Sequence, residues 1–470
     1  MDTVAPHQAL HALWADAGLP ADAPAQAELP AAEPALPSSF AVATALQASL
    51  GAAALAAVRI GQLRGGPRQT VRVEAADAVR EASGWFALDG RVPDLWDKLS
   101  GLYACGQDVG APGWVRIHAN FAHHRDGALR LLGLPPGADT TPEQVKQALR
   151  GWSADAFEQA AADAGLVVAA ARRFEQWDDH PQATEVAAQP LVDMRRHGDA
   201  AAPAWQPLAA GQRPLQGLRV LDLTRILAGP VAGRTLAAYG ADVMLVNSPQ
   251  LPNIEAIADT SRGKLSTHVD LQTAAGRDTL RALVRDADVF MQGYRPGALA
   301  ALGFGPDELQ RLNPQLVCVS LSAYGDGGPW GGRRGFDSLV QTATGFNLAE
   351  AQAFGADRPQ ALPLQVLDYS AGYLLAFGAQ AALLRRAHEG GGWRVRVSLA
   401  RTALWLRSLG RCSGFMSVSR PALDGGTEIG ASGFGQLAAV RHAARLSHTP
   451  AAWARPSVPP GTHPPVWPAR

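Results

Sequence analysis

Residues 218–247, LRVLDLTRILAGPVAGRTLAAYGADVMLVN, constrain the fold of this chain more than any other stretch. Arg219 to Leu223 alternates and carries enough apolar side chains for a strand opening a sheet. Ala228-Gly229-Pro230 breaks it, Val231 to Tyr239 permits a helix, and Gly240 can close that helix in a left-handed conformation. Asp242 to Val246 then reads as a second buried strand. The result is a β-α-β unit. A helix N-terminus at the carboxyl end of a parallel strand offers backbone N–H groups and partial positive charge, which suits a phosphate or thiolate-bearing ligand.

After this unit the pattern stays α/β. A helix is expected over Ala274 to Arg285, a strand over Asp288 to Gln292, two short helices, a strand over Gln315 to Ser322 and a helix from Asp337 to Gly345. Strands alternating with helices imply parallel pairing in a doubly wound sheet, with ligand sites at the strand carboxyl ends. Before it, Ala41 to Ile60 reads as a small-residue helix and Arg68 to Glu74 as a strand. Residues 84–134 give short β pieces rich in aromatics, and 141–165 two helices starting at Thr141-Pro142-Glu143. With 470 residues, two or three domains are expected. The divisions are an N-terminal helix and linker (1–36), a small mixed α+β domain (37–188), a linker (189–214), a large α/β domain (215–412) and an extension rich in Pro, Gly and Ser (413–470). That extension is expected to run over the surface or be weakly ordered.

Charge narrows the function classes. Forty-two acidic and 42 basic side chains cancel, which argues against nucleic acid or an anionic membrane surface as partner. The least charged runs, 41–58 and 366–384, are expected to be buried helices and not membrane spans. Cys105, Cys318 and Cys412 are too scattered for disulfides or a cysteine metal site, and the first residues lack a secretory pattern. A cytoplasmic protein is expected. His7 with His11, and His118 with His123 and His124, lack further ligands at metal spacing, so no metal site is expected.

A repeat is visible within the chain. Val71-Arg72-Val73 matches Val395-Arg396-Val397, and each triplet follows an apolar helix and a glycine-containing turn. The offset of 324 places Thr44 opposite Asp368, so only the second helix carries a carboxylate near its start. There, desolvation raises a carboxyl pKa while the helix N-terminus lowers it, so Asp368 is expected to stay ionised yet poorly hydrated, and hence nucleophilic. The bland alternative is an Asp that merely caps a buried helix.

Six collinear segments, VLDLTRILAGPVAGRTLAAYGADVMLV, RGKLSTHVDL, ADVFMQGYRPGALAALGFG, NPQLVCVSLSAYGDGGPW, GFDSLVQTATG and LPLQVLDYSAGYLLAFG, resemble class III CoA-transferases of the CaiB/BaiF type. Residues 114–134 and 151–183 resemble the small domain that in this family follows the large one; here it comes first. The resemblance implies transfer of CoA from an acyl-CoA to a free carboxylic acid, with no tightly bound cofactor and CoA thioesters as substrates. It implies that Asp368 is the catalytic aspartate, forming an anhydride and then an aspartyl-CoA thioester. Leu227, Ala228 and Gly229 match the loop beside the nucleotide of CoA, Lys264 and Arg295 match basic positions near its phosphates, and Tyr294 matches an aromatic near the adenine. Departures fall at Leu227, Asn247 and Gly293. A homodimer, interlocked as in the family, is also implied.

Three other readings are open. Racemases of the same fold use a His before the position of Asp337, and that position is Phe336, which exchanges no proton. A nucleotide-dependent dehydrogenase is disfavoured because AGPVAG is not G-x-G-x-x-G and Asn247 offers the ribose no carboxylate. A non-catalytic CoA-binding member is the third.

Overall fold

The computed structural model describes residues 3–469. Its centre is a seven-stranded sheet formed by β1 (Asp193–His197), β2 (Arg219–Leu223), β3 (Asp242–Asn247), β4 (Leu265–His268), β5 (Val289–Gln292), β6 (Val317–Ser322) and β7 (Gly392–Ser398). The spatial order is β4-β3-β2-β5-β6-β7-β1, parallel throughout except for β1, which runs antiparallel to β7. Chain order therefore reverses between β2 and β5, where Gln292 pairs with Leu223. Ligands of open α/β sheets bind in the crevice beyond such a reversal. The doubly wound class expected from the sequence is the class observed.

The β-α-β unit forms as its residues dictate, with one shift. Helix α2 (Ala228–Ala238) begins three residues before the expected Val231. Pro230 stands in its first turn, where a missing N–H costs nothing, so Gly-Pro starts this helix instead of delaying it. Gly240 adopts φ +106°, the left-handed conformation that ends it.

Two long apolar helices, α1 (Val42–Leu63) and α4 (Val366–Glu389), pack on each other behind the sheet. Small residues let them approach closely, and the Gln380 side chain of α4 donates to the Ala53 carbonyl of α1 at 3.0 Å. Helix α1 is long and apolar enough to cross a membrane, yet it is buried within the protein along nearly all its length. The two helices start 324 residues apart, the offset of the sequence repeat, and each leads to a VRV strand, Val71–Val73 or β7.

Three expected boundaries are corrected. The segment 1–36 holds the expected helix, packed through buried Leu10, Leu13 and Trp14, but the part after it is no linker, since Ala27–Glu28 pairs with Val71 and Arg72. The segment 189–214 contains β1, fixed by an ion pair from Arg396 of β7 to Asp193. The extension 413–470 is woven into the fold. Its strands Thr427–Ser432 and Gly435–Val440 form a sheet with Phe86–Leu88, and Ala444–Leu446 pairs with Val71–Val73. Farther on, the Trp453 indole donates to the Arg234 carbonyl at 3.0 Å and that of Trp467 to the Leu283 carbonyl at 3.0 Å. One hydrophobic core consequently runs from Ala9 through the central sheet to Leu446, across the expected domain divisions. A smaller antiparallel sheet of Gly101–Cys105, Gly113–Ile117 and Val168–Ala170 keeps its own core around Val115, Leu149 and Phe157.

Candidate active site

Helix α3 (Asp337–Ala343) and helix α4 meet N-terminus to N-terminus, and each carries an aspartate there. Asp368 is the third residue of α4. Its backbone N–H donates to Oδ2 of Asp337 at 2.9 Å, while the Gln341 side chain donates to Oδ1. Asp337 is fully buried and Asp368 is 8% exposed. Burial pushes the Asp337 carboxyl up to about 7, against the hydrogen bonds it accepts. Burial, with Asp337 alongside, raises the Asp368 carboxyl well above the usual carboxylate range. Burial therefore outweighs the helix N-terminus at Asp368, and the net shift is upward. Two nearby carboxyls in a dry site resist double ionisation.

Asp368 faces a cleft of about 160 Å³. The large domain supplies Ile226, Leu227, Thr260, Phe336 and Tyr369; the first segment closes the other side with Ser83, Gly84, Leu95, Trp96, His118 and Asn120. Ile226 holds φ +77°, unusual for a β-branched residue, and sits at the sheet reversal between β2 and α2. Strain of this kind recurs where a backbone is shaped for a ligand. Leu227 is the N-cap of α2, and Ala228 and Gly229 form its first turn. A side chain at Gly229 would collide with Thr224, its Cβ lying 2.3 Å from the Thr224 Cβ, so glycine allows the helix end to settle onto the strand's exit.

Tyr294 and Arg295 follow β5 on the neighbouring loop, half-buried and exposed respectively. Neither borders the Asp368 cleft; both stand at the carboxyl edge of the same strand pair as Leu227. Lys264 is a correction. It is 0% exposed, and its ammonium is held by Asp222 at 2.8 Å and by the Pro230 carbonyl at 2.9 Å beneath α2. Burial lowers its pKa although Asp222 opposes that. A Cβ at Gly233 would lie 2.3 Å from Asp222 and 2.8 Å from the Lys264 ammonium, so the helix is shaped around this pair. Lys264 fastens α2 to the sheet and does not reach a phosphate.

Several site residues escaped the sequence reading. His118, considered above only as a metal ligand, borders the cleft and stacks on Phe336 with ring centroids 4.0 Å apart. Burial and Arg116 hold its imidazole down at about 4, so it is neutral at pH 7. Arg225 does not line the cleft itself but precedes Ile226 of its wall, and lies over Phe121 with its guanidinium carbon 5.9 Å from the ring centroid. Its place in the LTRILAGP loop was the available signal. The Tyr369 hydroxyl is buried without a hydrogen-bond partner, next to Gly84. The repeat also acquires a meaning. At α1 the N–H of Thr44 donates to Glu33 at 2.6 Å, as that of Asp368 does to Asp337, but Thr44 is 0% exposed and does not line the Asp368 cleft. Among the described residues, no group of three or more His, Cys, Asp or Glu is arranged to hold a metal ion.

An α/β crevice with a buried aspartate at a helix N-terminus is the setting in which the family likeness falls. Residues 215–432 match the model described as CoA-transferase family III. Among its relatives are a probable fatty acyl-CoA transferase, Rv3272, of Mycobacterium tuberculosis, 36% identical over 216 residues (43% of this chain, 54% of that one). An acyl-CoA transferase of Gibberella moniliformis is 31% identical over 342 residues, covering 71% of this chain and 55% of that protein. A crystal structure of Rv3272, 38% identical, superposes with a TM-score of 0.39 over 42% of this chain and 56% of that one. The chain spans about half the length of the curated relatives it matches.

Proposed function

We propose that the chain transfers CoA from an acyl-CoA to a free carboxylic acid, with Asp368 as the nucleophile. The observation that carries this reading is the Asp368 carboxyl, buried at the start of α4 and lining a cleft at the sheet reversal. The match of residues 215–432 to the CoA-transferase family III model supports it, as do relatives named as acyl-CoA transferases.

In this mechanism an ionised Asp368 oxygen attacks the thioester carbonyl, the C–S bond breaks, and CoA leaves as thiolate from a mixed anhydride. The thiolate then attacks the aspartyl carbonyl, expelling the donor acid as carboxylate and leaving an aspartyl-CoA thioester. An acceptor carboxylate attacks that carbonyl, thiolate departs, and its attack on the acceptor carbonyl of the new anhydride yields the product thioester and restores Asp368. Each step passes through an oxyanion, which a fixed donor in a dry site stabilises. The Tyr369 hydroxyl, a buried donor bordering the cleft, is suited to that task. Asp337 holds the α4 N-terminus in place through the Asp368 N–H. Carboxyls with raised pKa are nucleophilic once ionised, so the pair favours covalent catalysis over the weak nucleophilicity of a solvated aspartate.

A nucleophile of this kind leaves the thioester bond energy intact, so no ATP is consumed. The test is incubation of the full chain with a panel of acyl-CoA donors and free acids, followed by mass spectrometry of new CoA esters. New esters are expected with the parent protein and none with Asp368→Ala. Turnover that survives this substitution would refute the assignment.

A further inference from the structure

A second cavity, about 330 Å³, lies across the Ser83-Gly84 turn from the Asp368 cleft, and Ser83, Gly84 and Leu95 line both. Its walls are apolar: Val79 and Phe86 from the first segment, Leu364 just before α4, and Leu423 from the C-terminal segment. The two arginines that border it are engaged elsewhere. Arg80 donates to the Ala422 carbonyl at 2.6 Å and to Asp77 at 2.7 Å, and Arg420 donates to the Pro363 carbonyl at 2.7 Å. No carboxylate lines the cavity. Val92 lies at it 54% exposed and Trp96, beside the cleft, is 40% exposed, an apolar surface that water covers poorly. Gly84 holds φ +61°, and a Cβ there would stand 2.6 Å from the Tyr369 hydroxyl. Glycine thus leaves room for the Tyr369 hydroxyl at the junction between the two spaces, where any larger residue would force the tyrosine out of place.

We propose that this second cavity is an acyl subsite, taking the apolar chain of a medium-chain thioester or acid whose carboxyl carbon lies at Asp368. The placement of that carbon rests on the CoA-transfer reading; the binding of an apolar chain in the cavity does not. A volume of 330 Å³ falls at the lower end of small-ligand pockets, which run from about 300 to 1,000 Å³. An acetyl group at Asp368 leaves it unused. Each methylene moved from water into such walls strengthens binding about fourfold.

The test is calorimetric titration of the full chain with octanoyl-CoA, acetyl-CoA, octanoate and acetate, repeated with Val92→Glu and Leu423→Glu. Both positions line only the second cavity, and Val92 is exposed enough that its replacement leaves the core untouched. Octanoyl-CoA is expected to bind at least about 50-fold more tightly than acetyl-CoA. Either variant should lose at least tenfold in octanoyl-CoA affinity while binding acetyl-CoA as before, because a carboxylate in the cavity opposes an apolar chain. Equal affinities for the two thioesters, or a loss shared by both, would overturn the subsite. If neither thioester binds, the CoA reading fails and the free acids decide: octanoate binding abolished by the glutamates upholds the cavity, and no preference for octanoate over acetate removes it.

Discussion

Replacing Asp337 by Asn separates the charge of the carboxyl pair from its shape. In the folded protein Asp337 titrates at about 7 because it is buried, against 3.8 for a free aspartate. A carboxyl whose folded pKa is raised gives stability that is present at low pH and lost as pH climbs from the unfolded value to the folded one. Each tenfold change in proton affinity corresponds to about 1.4 kcal/mol, so ionising this site by pH 8 costs the folded state on the order of 4 kcal/mol. At pH 4.5 the cost is about 1 kcal/mol by the same relation. Asn carries no such cost. It can accept from only one of the two donors that Asp337 now satisfies, the Asp368 N–H and the Gln341 amide, and the lost bond removes about 1–2 kcal/mol at every pH. Thermal melts of both proteins between pH 4.5 and 8.5 should therefore cross, with Asp337→Asn equal or less stable in acid and more stable by about 2 kcal/mol at pH 8. The same substitution removes the neighbouring charge, so the pH at which Asp368 becomes reactive should move down. A stability difference that stays flat across this range, or that favours the parent more as pH rises, would show that the pair does not carry the strain assigned to it.

Other substitutions address single contacts. Tyr369→Phe should lower kcat by one to two orders of magnitude with little change in KM, as expected for a donor felt mainly in the transition state, and steady-state kinetics decide it. Lys264→Met leaves Asp222 buried without its cation and should destabilise the fold by about 3–5 kcal/mol in denaturant titration, with no loss in the salt dependence of CoA binding. Glu81 is buried and, despite that, held down at about 2 by His442 and Arg234. Glu81→Gln should therefore destabilise the protein by about 3 kcal/mol at neutral pH, and the deficit should shrink as pH falls below 4.5 toward 2 in acid-denaturation curves.

The parts of the fold that show in the sequence are those in which local chemistry and packing agree. Arg219–Leu223 and Ala274–Arg285 fall where their patterns put them, the first as a strand buried on both faces and the second as an amphipathic helix. Asp193–His197 does not show because DMRRH is polar and owes its strand form to a single antiparallel partner. Thr427–Ser432 is equally inconspicuous, being largely exposed, with a hairpin partner as its only sheet neighbour. The proline-rich tail looks disordered by composition. It is ordered by isolated anchors, Trp453, His463 and Trp467, whose partners lie far away in the chain.

At the site, Asp368 and the loop around Leu227 are legible because a helix start and a strand-to-helix turn are local features. The wall opposite them is not. His118 reaches Phe336, and Glu81 reaches Arg234, across more than 150 residues, and no periodicity encodes such meetings. Lys264 shows the converse limit. A lysine in a loop-like string suggests a solvated charge or a phosphate ligand, and only the glycine-carved space beneath α2 reveals that it pairs with Asp222.

Chemical trapping of the covalent intermediate tests the central claim most directly. The full chain is mixed with octanoyl-CoA, quenched with hydroxylamine, digested and sequenced by tandem mass spectrometry. An aspartyl-CoA thioester at Asp368 would exchange its thiol for hydroxylamine, so the hydroxamate is expected on that side chain and on no peptide of Asp368→Asn. An unmodified Asp368 peptide during ongoing turnover, or a hydroxamate that persists in the Asn variant, would contradict the account.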